Sequence, residues 1–263
     1  VNAIRQASHA ATAYGVVTVS AGNMAQGVAW AARELGVPAT IVVPENAAQA
    51  KLDAIAQLGG TLVKVPYERW WEIMVTSRYA DAGGLFVHPV QDENVMAGNG
   101  TIGLELAEEL PDADAVLVPW GGGGLFTGIA SALAAARPEK RIYAVQPDTG
   151  AALSAALEAG EPREAPFSPS FVDGAGAKVV LPAMWKRARP LLAGAYTVTL
   201  DEAAAAVRLL AARMCVIAEG AGALALAAAL SGRVPGRKLV CIVSGGNIDP
   251  PRLAQILCGE TPD

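Results

Sequence analysis

Short apolar runs and longer stretches with helical periodicity follow one another along the whole chain. Several of the apolar runs do not alternate with polar residues, which is typical of strands in a parallel sheet covered on both faces. The pattern therefore predicts an α/β protein with a doubly wound parallel sheet. The predicted strands are 16–20, 39–44, 61–66, 85–89, 115–120, 141–146, 195–200 and 238–244. The predicted helices are 2–13, 24–36, 47–59, 67–84, 92–110, 125–136, 149–158 and 201–214, one from about 222, and a short one after the last strand.

Three loops at predicted strand ends have unusual sequences. They read SAGNMAQG (20–27), GGGGLFTG (121–128) and SGGN (244–247). In doubly wound sheets, ligands bind beyond the carboxyl ends of the strands. We therefore expect the ligand site at these loops. A change in loop character at 89–93 is the candidate domain crossing.

The glycine run at 121–124 does not match the two common nucleotide loops. No Gly-Lys-Ser/Thr follows it, and G-x-G-x-x-G fits in no register. The next strand ends in Gln146, where a dinucleotide site requires an acid, so a nicotinamide cofactor is not expected. Four glycines expose backbone N–H groups at a helix N-terminus, which suits a small phosphate monoester. The alternative is a close helix–strand contact that requires small residues.

Other candidate chemistry is weaker. In SAGN, Asn23 offers a donor and an acceptor, and the N–H groups of the turn suit a carboxylate; an ordinary N-cap turn is the alternative. Ser244 could direct a hydroxyl into the same crevice. Neither Ser20 nor Ser244 lies in G-x-S-x-G, so no serine hydrolase is predicted. The histidines, His9 and His88, are expected to be structural.

Composition argues against several further classes of protein. The net charge of −5 and the pI near 5.2 argue against nucleic-acid binding. The three cysteines lack zinc spacing and are expected to be buried thiols in a reducing compartment. The uncharged run 115–136 contains Pro119 and the glycines, so we expect strand–loop–helix and no membrane span. Without a predicted signal peptide, the expected location is the cytoplasm.

Five segments together resemble the pyridoxal-phosphate enzymes of the threonine dehydratase and serine racemase group. They are SAGNMAQGVAWAARELGVPATIVVPENA, GNGTIGLELAEEL, VPWGGGGLFTGIA, AEGAGALALAA and VSGGNID, in this order over nearly the whole chain. The resemblance implies the tryptophan synthase β-subunit fold, which has two doubly wound parallel-sheet domains, a small one set into a larger one, with pyridoxal 5'-phosphate between them. The implied division is 1–13 as the start of the large domain, 14–90 as the small domain and 91–263 as the large domain.

The resemblance also implies roles for individual residues. The glycines and the Leu125 amide would hold the cofactor phosphate, Asn23 the phenolic oxygen, and Ser244 the pyridine nitrogen. A hydroxyl there gives a weaker electron sink than a carboxylate, which favours β-elimination of water over transamination. The implied cofactor-binding residues are Asn23, Gly121, Gly122, Gly123, Gly124, Leu125 and Ser244. The implied carboxylate-binding residues are Ser20, Ala21, Gly22 and Met24. Glu219 matches an acidic position near the site and receives no role.

One departure from the family concerns the catalytic lysine. The lysine that forms the Schiff base precedes the segment matched by Asn2–Ile4, so no catalytic residue is assigned in this chain. None of the six lysines stands at the required place. Two readings follow: a dehydratase whose first residues are missing here, acting on threonine or serine, or a non-catalytic module that binds the cofactor or an anion.

Further departures narrow the expected chemistry. Serine racemases carry a serine at the position of Ala21, so racemisation is the weaker alternative. Cation-binding members carry acids at Gln146 and Ala152, so no metal is expected. Met24 stands where members of the family commonly carry a histidine. No regulatory domain is expected. We expect a small amino-acid substrate and, by resemblance, a homodimer. The residues that contact the substrate side chain are not identified; Arg69, Trp70, Trp71 and Gln91 border the expected crevice.

Overall fold

The computed structural model describes residues 1–47, 49–79 and 81–263 and divides into two compact units, Val1–Gly98 and Asn99–Asp263. Each unit contains a four-stranded parallel sheet with flanking helices. The predicted α/β class with two parallel sheets is thereby confirmed. The predicted helices 47–59 and 67–84 include Ala48 and Ala80, which lie outside the described residues.

The first unit has the sheet order β3-β2-β1-β4. Its strands are β1 (Val16–Val19), β2 (Ala39–Pro44), β3 (Gly60–Val65) and β4 (Leu85–Phe86). Its helices are α1 (Asn2–Gln6), α2 (His9–Thr12), α3 (Asn23–Glu34), α4 (Gln49–Gln57) and α5 (Tyr67–Thr76). Every residue of β1 is buried, with Val16 in one apolar cluster and Val17 in another that contains Ile73 of α5. The strand therefore reads as a continuous apolar run because both of its faces are covered.

The second unit repeats this arrangement with the order β7-β6-β5-β8. Its strands are β5 (Ala115–Pro119), β6 (Arg141–Pro147), β7 (Gly194–Val198) and β8 (Leu239–Cys241). The helices that follow α5 are α6 (Glu93–Glu109), which contains the division, α7 (Gly124–Ala136), α8 (Ala152–Ala159), α9 (Pro182–Ala188), α10 (Leu200–Leu209), α11 (Gly220–Leu230) and α12 (Pro250–Leu257). Leu117 packs in the cluster of α10 and α11, and Val118 in that of α7. Helices thus cover both faces of β5.

Some predicted elements are shorter than expected. The predicted helix 2–13 is interrupted, because the Ser8 hydroxyl accepts a hydrogen bond from the Ala11 N–H (3.2 Å) and starts a second helix. The predicted strands 85–89 and 238–244 contract to β4 and β8. The domain boundaries at 13/14 and 90/91 stay a prediction. Ile4, which the predicted division places in the large domain, packs with Val16 in an apolar cluster of the first unit.

The prediction that all three cysteines are buried is wrong. Cys215 and Cys258 are exposed, because Cys215 follows a π-helical turn in an exposed run at 212–217 and Cys258 ends α12. Cys241 is half-buried, and burial raises the pKa of its thiol to about 11. The run 115–136 forms β5, the glycine loop and α7, as predicted. Among the described residues, no helix has the length and apolar character needed to cross a membrane.

Candidate functional site

The second unit places two of the predicted loops at the same edge of its sheet. Strands β5 and β8 are parallel neighbours, with Leu117 paired to Cys241 and the Ile242 N–H donating to Leu117 O (3.0 Å). The loops that follow these strands contain the glycine run and Ser244. Both therefore lie at the carboxyl edge of the sheet, where doubly wound proteins bind ligands.

The glycine loop ends in an open helix N-terminus. Gly123 is the N-cap of α7 with φ +92°, and the first helical hydrogen bond runs from the Thr127 N–H to Gly123 O (2.9 Å). The N–H groups before this bond, including those of Gly124 and Leu125, are the unsatisfied donors of a helix start. The first turn of α7 contains no acidic residue. Gly122 is exposed, so part of the loop faces open space.

A third loop, which the sequence analysis left without a role, backs the glycine run. A Cβ built on Gly121 would lie 3.1 Å from Gly174 O and 3.4 Å from Ala175 Cα. A Cβ on Gly174 would lie 3.1 Å from Glu219 Oε1. The available signal was the pair of glycines in VDGAG (172–176), which lies in none of the predicted helices and strands. Gly174 thus lies between the glycine run and the start of α11.

The segment after β8 packs against the start of α11. Gly245 O accepts a hydrogen bond from the Glu219 N–H (2.9 Å), and a Cβ on Gly222 would lie 2.3 Å from Gly245 O. Glu219 is only 4% exposed, whereas Ser244 is exposed. Position 222 requires glycine because the backbone of Gly245 approaches it closely. The contact fixes the segment that carries the Ser244 hydroxyl.

In the first unit, the SAGN loop forms a tight turn before α3. The Ser20 hydroxyl accepts a hydrogen bond from the Gly22 N–H (3.2 Å), and Gly22, not Asn23, is the N-cap of α3. A Cβ built on Gly22 would meet nothing within 4 Å. Asn23 is exposed, and Ala21 and Met24 are half-buried against the core. The turn leaves open space at the start of the helix.

None of the six lysines is buried, whereas covalent catalysis requires a desolvated amine. Lys140 donates to the carbonyls of Pro111 and Ala113 (2.7 Å to the latter), and Lys238 pairs with Asp112. These contacts hold both amines before strands β6 and β8, away from the carboxyl edge. Lys51 and Lys140 are half-buried, and Lys64, Lys178, Lys186 and Lys238 are exposed.

Gln146, where cation-binding relatives were expected to carry an acid, is a structural side chain. It is 0% exposed; its Nε2 donates to Ser154 Oγ (2.6 Å), and its Oε1 accepts from the Leu153 N–H (3.1 Å). The amide therefore caps the start of α8. Within the described ranges, no group of three or more His, Cys, Asp or Glu side chains could hold a metal ion.

His88 is buried and structural, as predicted. Its Nδ1 accepts hydrogen bonds from the Val90 N–H (3.0 Å) and the Gln91 N–H (2.9 Å), so Nε2 carries the proton and donates to Met74 O (2.9 Å). Burial lowers the pKa of His88, and the hydrogen bond to Met74 acts in the opposite direction. The neutral ring thus closes the loop that follows β4.

The adjacent tryptophans occupy different environments. Trp70 packs against the cluster of Val17 and Ile73, and Trp71 is 37% exposed. Residues one position apart on a helix lie on different faces, which explains the difference. Arg69 forms an ion pair with Glu72 (2.7 Å) on the surface.

The two parallel sheets, each covered by helices, define a doubly wound α/β protein, and the open helix start at a carboxyl edge is its candidate ligand site. The profile of the family described as "Pyridoxal-phosphate dependent enzyme" matches residues 1–245, so the chain belongs to this family.

Individual relatives carry more specific names. A Geobacter sulfurreducens protein named L-threonine ammonia-lyase is 41% identical over 253 residues, which cover 94% of this chain and 62% of that protein. A Thermotoga maritima protein of the same name is 38% identical over 250 residues, covering 92% of this chain and 61% of that protein. The structure of maize serine racemase is similar with a TM-score of 0.86 and 31% identity, covering 97% of this chain and 79% of that one. The chain thus spans about three fifths of the two curated relatives' length.

Proposed function

We propose that the protein containing this chain is a pyridoxal-phosphate-dependent lyase, which removes water and ammonia from a hydroxy amino acid such as threonine or serine to give a 2-oxo acid. The observation that carries the proposal is the glycine loop, whose exposed centre and open helix start lie at the carboxyl edge of the second sheet. The names of the two bacterial relatives agree with this activity.

The residues present fit the phosphate group of the cofactor. The amides of Gly121, Gly122, Gly123, Gly124 and Leu125 would hold it. The helix start supplies N–H donors and partial positive charge, and no acid in the first turn competes with an anion. When bound, pyridoxal phosphate supplies an electron sink for bonds that break at the α-carbon of an amino acid.

Ser244 is the residue proposed to meet the pyridine nitrogen. Its hydroxyl can donate a hydrogen bond to a neutral nitrogen, but it carries no negative charge that would keep the nitrogen protonated. The contact of Gly245 with Glu219 holds the backbone next to this hydroxyl. A neutral nitrogen favours elimination over transamination, which agrees with a dehydratase.

The SAGN turn of the first unit is proposed to bind further polar groups. Ser20, Ala21, Gly22 and Met24 form the turn and helix start proposed for the substrate carboxylate, and Asn23 is proposed for the phenolic oxygen. A Cβ on Gly22 would meet nothing within 4 Å, so the space beside this turn is open to a carboxylate. Ala21 presents a methyl group where racemases of the family carry a hydroxyl, so a dehydratase is favoured over a racemase.

The activity is tested on the complete product of the gene. We expect 2-oxobutyrate from L-threonine, pyruvate from L-serine and no D-serine by chiral chromatography. The sequence upstream of residue 1 should encode the catalytic lysine in frame. D-serine without 2-oxo acid would support the racemase instead. Bound cofactor without turnover, and without that lysine, would support the binding module.

A pair of variants tests the phosphate loop itself. Gly122→Asp places a carboxylate at the exposed centre of the loop, and we expect it to abolish cofactor binding measured by absorbance after dialysis. Ala135→Asp is the matched control, because Ala135 is exposed near the opposite end of α7 and the substitution introduces the same carboxylate. Equal binding by both variants would contradict the assignment of the loop.

A further inference from the structure

The indole ring of Trp120 lies directly against the glycine loop. Trp120 is 1% exposed, and a Cβ built on Gly123 would lie 2.6 Å from its Cη2, 2.9 Å from Cζ2 and 3.1 Å from Cζ3. Gly123 has φ +92°, a left-handed backbone conformation that residues with a side chain rarely adopt. The indole ring and the backbone conformation therefore both exclude a side chain at position 123.

The ring has a fixed position, because three different elements hold Trp120. The backbone N–H of Trp120 donates to Val145 O of β6 (2.7 Å), and its backbone carbonyl accepts from the Gly176 N–H (2.9 Å). The ring meets that of Phe126 in α7 edge to face, with centroids 5.5 Å apart and an interplanar angle of 61°. The indole is thus a rigid support rather than a mobile neighbour.

The other end of the loop is supported separately. Gly121 rests on the backbone of Gly174 and Ala175, and Gly122 between the two supports is exposed. Removal of the indole would release only the end of the loop that begins α7. The N–H groups of Gly124 and Leu125, which point away from the helix, follow the conformation of that end.

We propose that Trp120 is a positioning residue that holds Gly123 in its left-handed conformation, so that the loop amides are oriented for a phosphate before the ligand binds. The inference rests on the proposed function, because it assumes that the loop binds the cofactor phosphate. A binding group that is ordered beforehand loses less conformational entropy when the ligand arrives.

The indole N–H helps to separate positioning from stability. Among the described residues, Trp120 Nε1 is buried without a hydrogen-bond partner, so Trp120→Phe leaves no polar group unpaired. Phenylalanine fills part of the volume but is shorter than the indole ring. Trp120→Leu removes the aromatic support completely. Leu133→Ala is the matched control, because Leu133 lies in α7 and in the same apolar cluster but farther from the loop.

The test is isothermal titration of the chain with inorganic phosphate, pyridoxal 5'-phosphate and pyridoxal. We expect Trp120→Leu to raise the dissociation constants of both phosphate-containing ligands roughly tenfold, and Trp120→Phe by roughly threefold. The constant for pyridoxal, which lacks the phosphate, should stay unchanged in both. Leu133→Ala should leave all three constants unchanged, although it lowers the melting temperature.

The outcomes distinguish this inference from the function on which it rests. If the wild-type chain binds neither phosphate nor pyridoxal phosphate, the proposed function of the loop is overturned, and the inference with it. If the wild type binds and Trp120→Leu binds equally well, only the inference is overturned. A loss of affinity in Leu133→Ala equal to that in Trp120→Leu would show that Trp120 acts only as a general core residue, and the inference would be overturned. Should Trp120→Leu not fold, wild-type affinity in Trp120→Phe overturns the inference.

Discussion

Replacement of Gln146 by leucine tests whether this buried amide holds the start of α8. The side chain is 0% exposed and connects β6 to the first turn of the helix through the Leu153 N–H and the Ser154 hydroxyl. The N-cap of α8, Ala151, offers no side-chain acceptor. Leucine has a similar volume but can replace neither hydrogen bond, so the helix start loses its cap.

The cost follows from the two hydrogen bonds. A buried, unpaired Leu153 N–H costs about 1–3 kcal/mol, and the lost bond to Ser154 about 0.5–1.5 kcal/mol. Ser154 Oγ also lies 3.3 Å from Thr197 Oγ1, which replaces part of the second bond. The apolar leucine side chain offsets a further part. We therefore expect the free energy of unfolding to fall by about 2–3 kcal/mol.

Urea denaturation monitored by circular dichroism measures this loss, and hydrogen exchange locates it. The amide of Leu153 should exchange faster in Gln146→Leu than in the wild type. Gln255→Leu is the control, because Gln255 is exposed in α12 and a surface change of this kind stays within about 0.5 kcal/mol. A loss below about 1 kcal/mol in Gln146→Leu, or unchanged exchange at Leu153, would refute the reasoning.

Three further predictions concern other sites. Burial lowers the pKa of His88 from its ordinary value of 6.5. The stabilising contribution of the neutral ring is therefore complete above pH 6.5 and is lost as the pH falls through the lowered pKa. The urea midpoints measured at about pH 8 and pH 5 should differ less in His88→Gln than in the wild type. Gly22→Ala should fold normally, since nothing lies within 4 Å of the new methyl group, but should raise KM for threonine roughly tenfold in the complete enzyme; an unchanged KM would remove the turn from the carboxylate site. Ellman's reagent should modify Cys215 and Cys258 rapidly and Cys241 only after unfolding; rapid reaction of all three thiols would contradict the burial of Cys241.

The order of helices and strands could be predicted because the apolar runs are buried on both faces. Val16 and Val17 face opposite clusters, so their run does not alternate, and this pattern is specific to covered parallel strands. The ends of β4 and β8 could not be predicted. The apolar pattern continues past Phe86 and Cys241, while the backbone leaves the ladder to form loops.

The candidate site was predictable only in part. The glycine run could be recognised from the sequence as a candidate site, because four adjacent glycines are unfavourable unless the backbone requires them. The support from Gly174 was not predictable, because Gly174 and Gly121 are far apart in the sequence and become neighbours only in the folded chain. Trp120 directly precedes the glycine run, but the position of its ring against Gly123 depends on the fold. The exposure of Cys215 was missed for another reason: Cys215 itself adopts the left-handed conformation (φ +54°) after a π-helical turn, and residue type alone does not indicate this conformation.

The sheet order of the second unit has a consequence for protein synthesis. Strand β5 pairs on one side with β6, which the ribosome makes soon afterwards, and on the other with β8, which follows only after α11. While β7 and helices α8 to α11 emerge, one side of β5 has no partner strand. An unpaired strand side of this kind is a site where nascent chains join one another. Translation that pauses between Val118 and Leu239 would lengthen this exposed interval, and a chaperone that shields β5 would act there.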